Sequence, residues 1–321
     1  DKLTTKIMEL LMSIVQNPSA KAPAPDDTFV AKFAASQGGG TQQHQQRTLL
    51  ANAVMSLLVA MLEEEPDDEA QEKWLNAFAP RVLASLLQGK PTLVFAPAAG
   101  NDSSNLEDSA KSLYGQTLMV ATQRILQTDG ASGVANKLLP LSVQMLVQLA
   151  KPNPMEDATS AVVVAEGVFP QLTKLIRTEL LVPGSSVTCY AELLSSLEVV
   201  VLQPIYRPTW SVSLMPLALM IQAQQQQKEG ADVENEEVAN LVAVLIQRHT
   251  EEEAAVNHQQ AIEEAVGALI QGVGLERFWK WISWQDEVVK KTNKKQQVPD
   301  VISPKKAWLL PLLKTSGTAA S

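Results

Sequence analysis

The chain has 321 residues, 45% of them hydrophobic and only 5% aromatic, and carries a formal net charge of −9. Its apolar content supports a sizeable packed interior, while the acidic balance argues against a protein that coats nucleic acid without selectivity. Cys189 is the one cysteine, which excludes an internal disulfide and argues against secretion, and no apolar run reaches the roughly 18–20 residues of a membrane span. Because it starts at Asp1, the chain reads as a piece of a longer protein.

In chain order, Leu3 to Val15 reads as a short amphipathic helix ending before Asn17-Pro18, and a Pro/Ala linker runs from Pro18 to Pro25. Asp26 or Asp27 caps a helix carrying Phe29, Val30 and Phe33. Gln37 to Gln46, with three glycines followed by glutamines, is a low-complexity loop. Leu49, Leu50, Ala53, Leu57, Val59 and Leu62 make the first strong apolar stripe, closed by an acidic loop from Glu63 to Glu69. Ala70 to Leu87 is the next helix, and Thr92 to Asn105 a loop. Leu106 to Leu126 and Val134 to Leu149 form a helix pair, and Pro152-Asn153-Pro154 breaks the chain sharply.

Glu156 to Leu181 is helical with interruptions at Gly167 and Pro170, which predicts two helices in one hairpin. After a turn at Pro183-Gly184, a helix is expected over Val187 to Leu202, with Cys189 as a buried thiol in helical surroundings. Thr209 to Gln224 follows, running into a solvated glutamine end, Gln224 to Gln227. Val238 to Arg248 and Ala254 to Gln271 make another pair, and Leu275 to Trp284 is a short aromatic helix. Lys290 to Pro304 is a basic, polar connection.

One unit recurs. Small or apolar residues, then Pro, then apolar residues at helical spacing stand around Pro80, Pro140, Pro170, Pro216 and Pro311. Proline is tolerated in a first turn and kinks an interior one, so each copy opens or bends an amphipathic helix. Roughly twelve helices with breaks about every 30–45 residues match a HEAT or armadillo period. The fold expected is all-α: an α-solenoid of degenerate helical hairpins, each burying its stripe against the next. Residues 1–150 would be N-terminal repeats and 151–321 a second stretch of one continuous array.

Catalytic signals are absent. The chain has no phosphate-binding loop, dinucleotide fingerprint or nucleophile elbow. His44 lies in the glutamine loop; His249 and His258 flank Glu251-Glu252-Glu253 without the i, i+4 spacing of a helical metal pair, and read as solvated polar positions. No catalytic, cofactor or metal residue is assigned. Two features suit binding. Lys290, Lys291, Lys294, Lys295, Lys305 and Lys306 make a basic stretch suited to phosphate contact, and Arg277, Trp279 and Trp284 a candidate protein-partner patch. Phe278, Trp281 and Ile282 fall on the other, core-facing side of that helix.

Three segments carry a resemblance. They are Leu202-Gln203-Pro204-Ile205-Tyr206-Arg207-Pro208-Thr209-Trp210; Ala261 to Trp281 with Gly274-Leu275-Glu276-Arg277-Phe278; and Ala307-Trp308-Leu309-Leu310-Pro311-Leu312-Leu313-Lys314. In order and spacing, over about residues 155 to 315, they resemble the HEAT-repeat ribosomal RNA-processing protein 12 family. Trp281-Ile282-Ser283-Trp284 and Lys314-Thr315 depart from its pattern. The resemblance implies a non-catalytic factor of the nucleolus and nucleus, acting in pre-rRNA processing, the small-subunit processome and pre-ribosome export and shuttling to the cytoplasm. Its implied partners are pre-rRNA, processome proteins and a Ran-type GTPase or other export machinery. The competing class is a karyopherin-like transport receptor or phosphatase-type HEAT scaffold that holds protein cargo.

Overall fold

The computed structural model describes residues 52–88, 104–128, 132–153, 158–227, 236–251, 256–282 and 307–317. The expected helices before Leu49, the glutamine loop and the lysine-rich connection lie outside them. Among the described residues the chain is helical with no strand, an α-solenoid arrangement of stacked hairpins that falls into two units.

The first unit holds α1 (52–63), α2 (Glu69–Gln88), α3 (Ser104–Gln127), α4 (Ser132–Leu149) and α5 (Ala158–Leu175). Asp68, from the acidic loop, caps α2: its Oδ1 accepts from the Gln71 N–H at 2.7 Å, and Gln71 Oε1 accepts from the Asp67 N–H at 2.7 Å. Such reciprocal capping satisfies donors that a helix start leaves unpaired. Packing follows repeat logic. α2 lies beside α4 and α3 beside α5, while α3 also packs on α2 and α4. The approach of α3 to α5 depends on two small residues. A methyl group on Gly167 would overlap the Ser112 hydroxyl and lie 2.9 Å from Ser112 Cβ, and one on Gly115 would run into Val168. Tyr114 of α3 is fully buried and donates its hydroxyl to the Leu86 carbonyl.

Gly167 and Pro170 do not divide the Glu156 to Leu181 stretch. α5 runs through both, and no hairpin forms there. Gly167 serves close packing, and Pro170 faces solvent, where the loss of one backbone hydrogen bond is tolerated because seven apolar residues of the opposite face are buried. Pro80, Pro140 and Pro216 likewise lie inside continuous helices. Only Pro311 stands in a first turn.

Residues 186–189 belong to the first unit and are not helical. The helix expected from Val187 begins instead at Tyr190. Asn136 of α4 holds the segment open: its Nδ2 donates to the Ser186 carbonyl at 3.2 Å and its Oδ1 accepts from the Thr188 N–H at 2.7 Å. Cys189 is buried as expected, though in this irregular piece and not in a helix.

The second unit begins with a π-helical turn, Ile176–Leu180, closed by the Leu181 N–H donating to the Ile176 carbonyl at 2.9 Å. It continues through α6 (Tyr190–Leu202), a 3₁₀ turn (Pro204–Thr209), α7 (Trp210–Gln227), α8 (Glu236–Thr250), α9 (Val256–Val273), α10 (Leu275–Trp281) and α11 (Leu309–Gly317). α6, α8 and α10 pack in succession as one layer, and α7, α9 and α11 as the other. The hairpins are therefore α6/α7, α8/α9 and α10/α11, stacked in chain order. α7 is buried nearly all round, including Pro216, Gln224 and Gln225, as a helix sandwiched between neighbours must be. The glutamine end is thus solvated only at Gln226 and Gln227.

Candidate functional site

Within the second unit, the segments that singled out this half of the chain meet around the C-terminal end of α8. The first is the 3₁₀ turn. Tyr206 and Trp210 are 2% and 1% exposed, so both rings are core anchors and not surface recognition groups. Trp210 Nε1 donates to the Val200 carbonyl at 3.0 Å, and Thr209 Oγ1 to the Tyr206 carbonyl at 2.9 Å. Burial pushes the Tyr206 hydroxyl up to about pKa 12, because an ionised phenolate would have to leave water. Two prolines, Pro204 and Pro208, preset the backbone of the turn. Arg207, between these anchors, is therefore held in place by its neighbours.

Arg207 reaches across to α8. Its Nη2 lies 2.8 Å from Glu251 Oε2, and Arg248 Nη1 meets the same carboxylate at 2.9 and 3.2 Å. Arg248 Nη2 also donates to the Leu202 carbonyl at 3.4 Å, at the end of α6. One carboxylate thus clips the 3₁₀ turn to the last turn of α8, where a cationic side chain also suits the helix dipole. His258 of α9 stands edge-on to Trp210, with ring centroids 5.7 Å apart. Burial, with the Arg207 charge as a second cause, holds its imidazole below the ordinary histidine pKa of 6.5.

The second and third segments are joined by His249. Its Nε2 lies 2.9 Å from Glu263 Oε1 on α9, and its ring stacks on Trp308 at a centroid distance of 3.8 Å and 15° between planes. Leu309 and Leu313 then bury beneath α11, and Leu312 lies over Gly267 of α9. The histidines read as solvated positions are in fact structural: His249 is 8% exposed and His258 is half-buried against Trp210. Sequence spacing hid this, since His249 and Trp308 are brought together only by the stacking of α11 on α9. His44 lies outside the described residues.

Gly274 links α9 to α10 at φ 85°, a conformation that favours glycine, and its N–H closes α9 on the Ile270 carbonyl at 3.0 Å. It aims Phe278, Trp281 and Ile282 into the core, as the sequence pattern predicts. Of the candidate partner patch, Arg277 and Trp279 are exposed, Trp279 at 46%, and Trp284 lies outside the described residues. At 100° per residue the two described side chains are roughly 160° apart around α10, on opposite margins of its exposed arc. Trp279 has Leu275, one turn earlier and also exposed, on its own margin. Lys290, Lys291, Lys294, Lys295, Lys305 and Lys306 all lie outside the described residues.

Among the described residues no group of three or more His, Cys, Asp or Glu side chains could hold a metal ion. No described helix is long and apolar enough to cross a membrane. Arg207, Arg248 and His249 each meet a carboxylate, while Arg248 Nε, His258 Nδ1 and Trp308 Nε1 are buried without a hydrogen-bond partner: the junction is an arrangement that fixes helices.

Comparison with known proteins bears on this half of the chain. The family model described as ribosomal RNA-processing protein 12, HEAT repeats, matches residues 156–321. Searches of curated proteins and of solved structures returned no match.

Proposed function

Because the chain belongs to the ribosomal RNA-processing protein 12 HEAT-repeat family, we propose that it is a non-catalytic assembly factor of small-subunit biogenesis, acting in the nucleolus and nucleus. Ribosomal RNA processing is the setting that the family gives. The finer reading is a scaffold in the small-subunit processome that holds pre-rRNA and assembly proteins together, accompanies pre-ribosomal particles towards export through a Ran-type GTPase or other export machinery, and forms one continuous array.

The observation that carries this reading is the junction at the end of α8. Tyr206, Trp210, Glu263, Trp308 and Leu309 come from the three family segments, and they are spent on locking hairpins together. A protein that commits its most distinctive side chains to rigidity presents helix faces and loops to partners, which is how stacked repeats bind. The basic stretch from Lys290 to Lys306 supplies phosphate contact in a chain that is otherwise acidic.

Affinity purification of the tagged full chain from nuclear extract, with sequencing of bound RNA and identification of bound proteins, tests the reading. Recovery of pre-rRNA with small-subunit assembly factors is expected. Recovery of a Ran-type GTPase with protein cargo and no pre-rRNA would place the chain among transport receptors instead.

A further inference from the structure

We draw no further inference here: the strongest candidate, the outward apolar stripe of α4 formed by Val134, Leu138, Leu141, Met145 and Leu149, is an unpartnered helix face, and nothing in the structure shows what covers it.

Discussion

The imidazole of His249, at the end of α8, lies flat against the indole of Trp308, 3.8 Å between centroids, and holds Glu263 of α9 through Nε2. Two rings far apart in sequence thereby tie α8, α9 and α11 into one junction. Trp308→Ala removes a half-buried ring and should cost about 2–3 kcal/mol. In a stacked-repeat architecture that loss is felt locally. Hydrogen exchange should show the amides of α11 losing protection while those of α3 and α5 keep theirs; unchanged α11 protection would mean that the ring stack does not hold the helix.

The α3–α5 contact gives a sharper steric test. Gly167→Ala raises helix propensity by up to about 1 kcal/mol, yet the added methyl meets the Ser112 Cβ and hydroxyl. Overpacking of this kind costs about 1–3 kcal/mol, so net destabilisation is expected in urea unfolding. Removing the opposing side chain should relieve it: Ser112→Gly combined with Gly167→Ala should be less destabilised than the two separate losses added together. Strict additivity would show that the two positions do not touch.

His258 predicts a pH dependence. Its folded pKa is lowered from 6.5 by burial and by Arg207, so below 6.5 the unfolded chain takes up the proton first. Stability from this group is complete above pH 6.5 and declines as the pH falls from there towards the folded pKa. Carboxylates titrate in the acid range as well, so the quantity to measure is the difference between wild type and His258→Asn in denaturant unfolding between about pH 7.5 and pH 5.5. Wild type should lose more stability than the variant over that interval. Equal losses would show that the imidazole is not desolvated.

Glu198 of α6 has the opposite sign. Burial, followed by the charge of Glu237 on α8, raises its pKa from 4.5. Its favourable contribution is present below pH 4.5 and lost as the pH rises through the folded value, so at neutral pH the two carboxylates repel. Glu237→Gln should raise the thermal midpoint slightly at neutral pH, and the gain should shrink at high salt. A midpoint that falls would mean that Glu237 holds a stabilising partner.

Much of this was readable from residue order alone, and the failures have physical causes. Helix existence followed from apolar spacing: α3, α4, α8 and α9 lie within a few residues of their predicted ends. The core side of α10 followed too, because Phe278, Trp281 and Ile282 share one face at 100° per residue. Gly167 and Pro170 misled because breaker propensity is weak beside tertiary packing; a glycine admitted for close approach looks the same as one that ends a helix. The non-helical segment at 186–189 is held by Asn136, some fifty residues away, and nothing local announces it. The junction at the end of α8 was legible only as a list of motif residues, since the partners of His249 and Arg207 are fixed by stacking order and not by spacing.

Central to the proposed role is that this repeat protein travels with an assembling ribosomal subunit. Sedimentation of the tagged full chain through a sucrose gradient of nuclear extract, with RNase treatment as the paired sample, measures it. Co-migration with small-subunit precursor particles, collapsing to light fractions once the RNA is digested, is the predicted result. A chain that stays in the light fractions in both samples would contradict it.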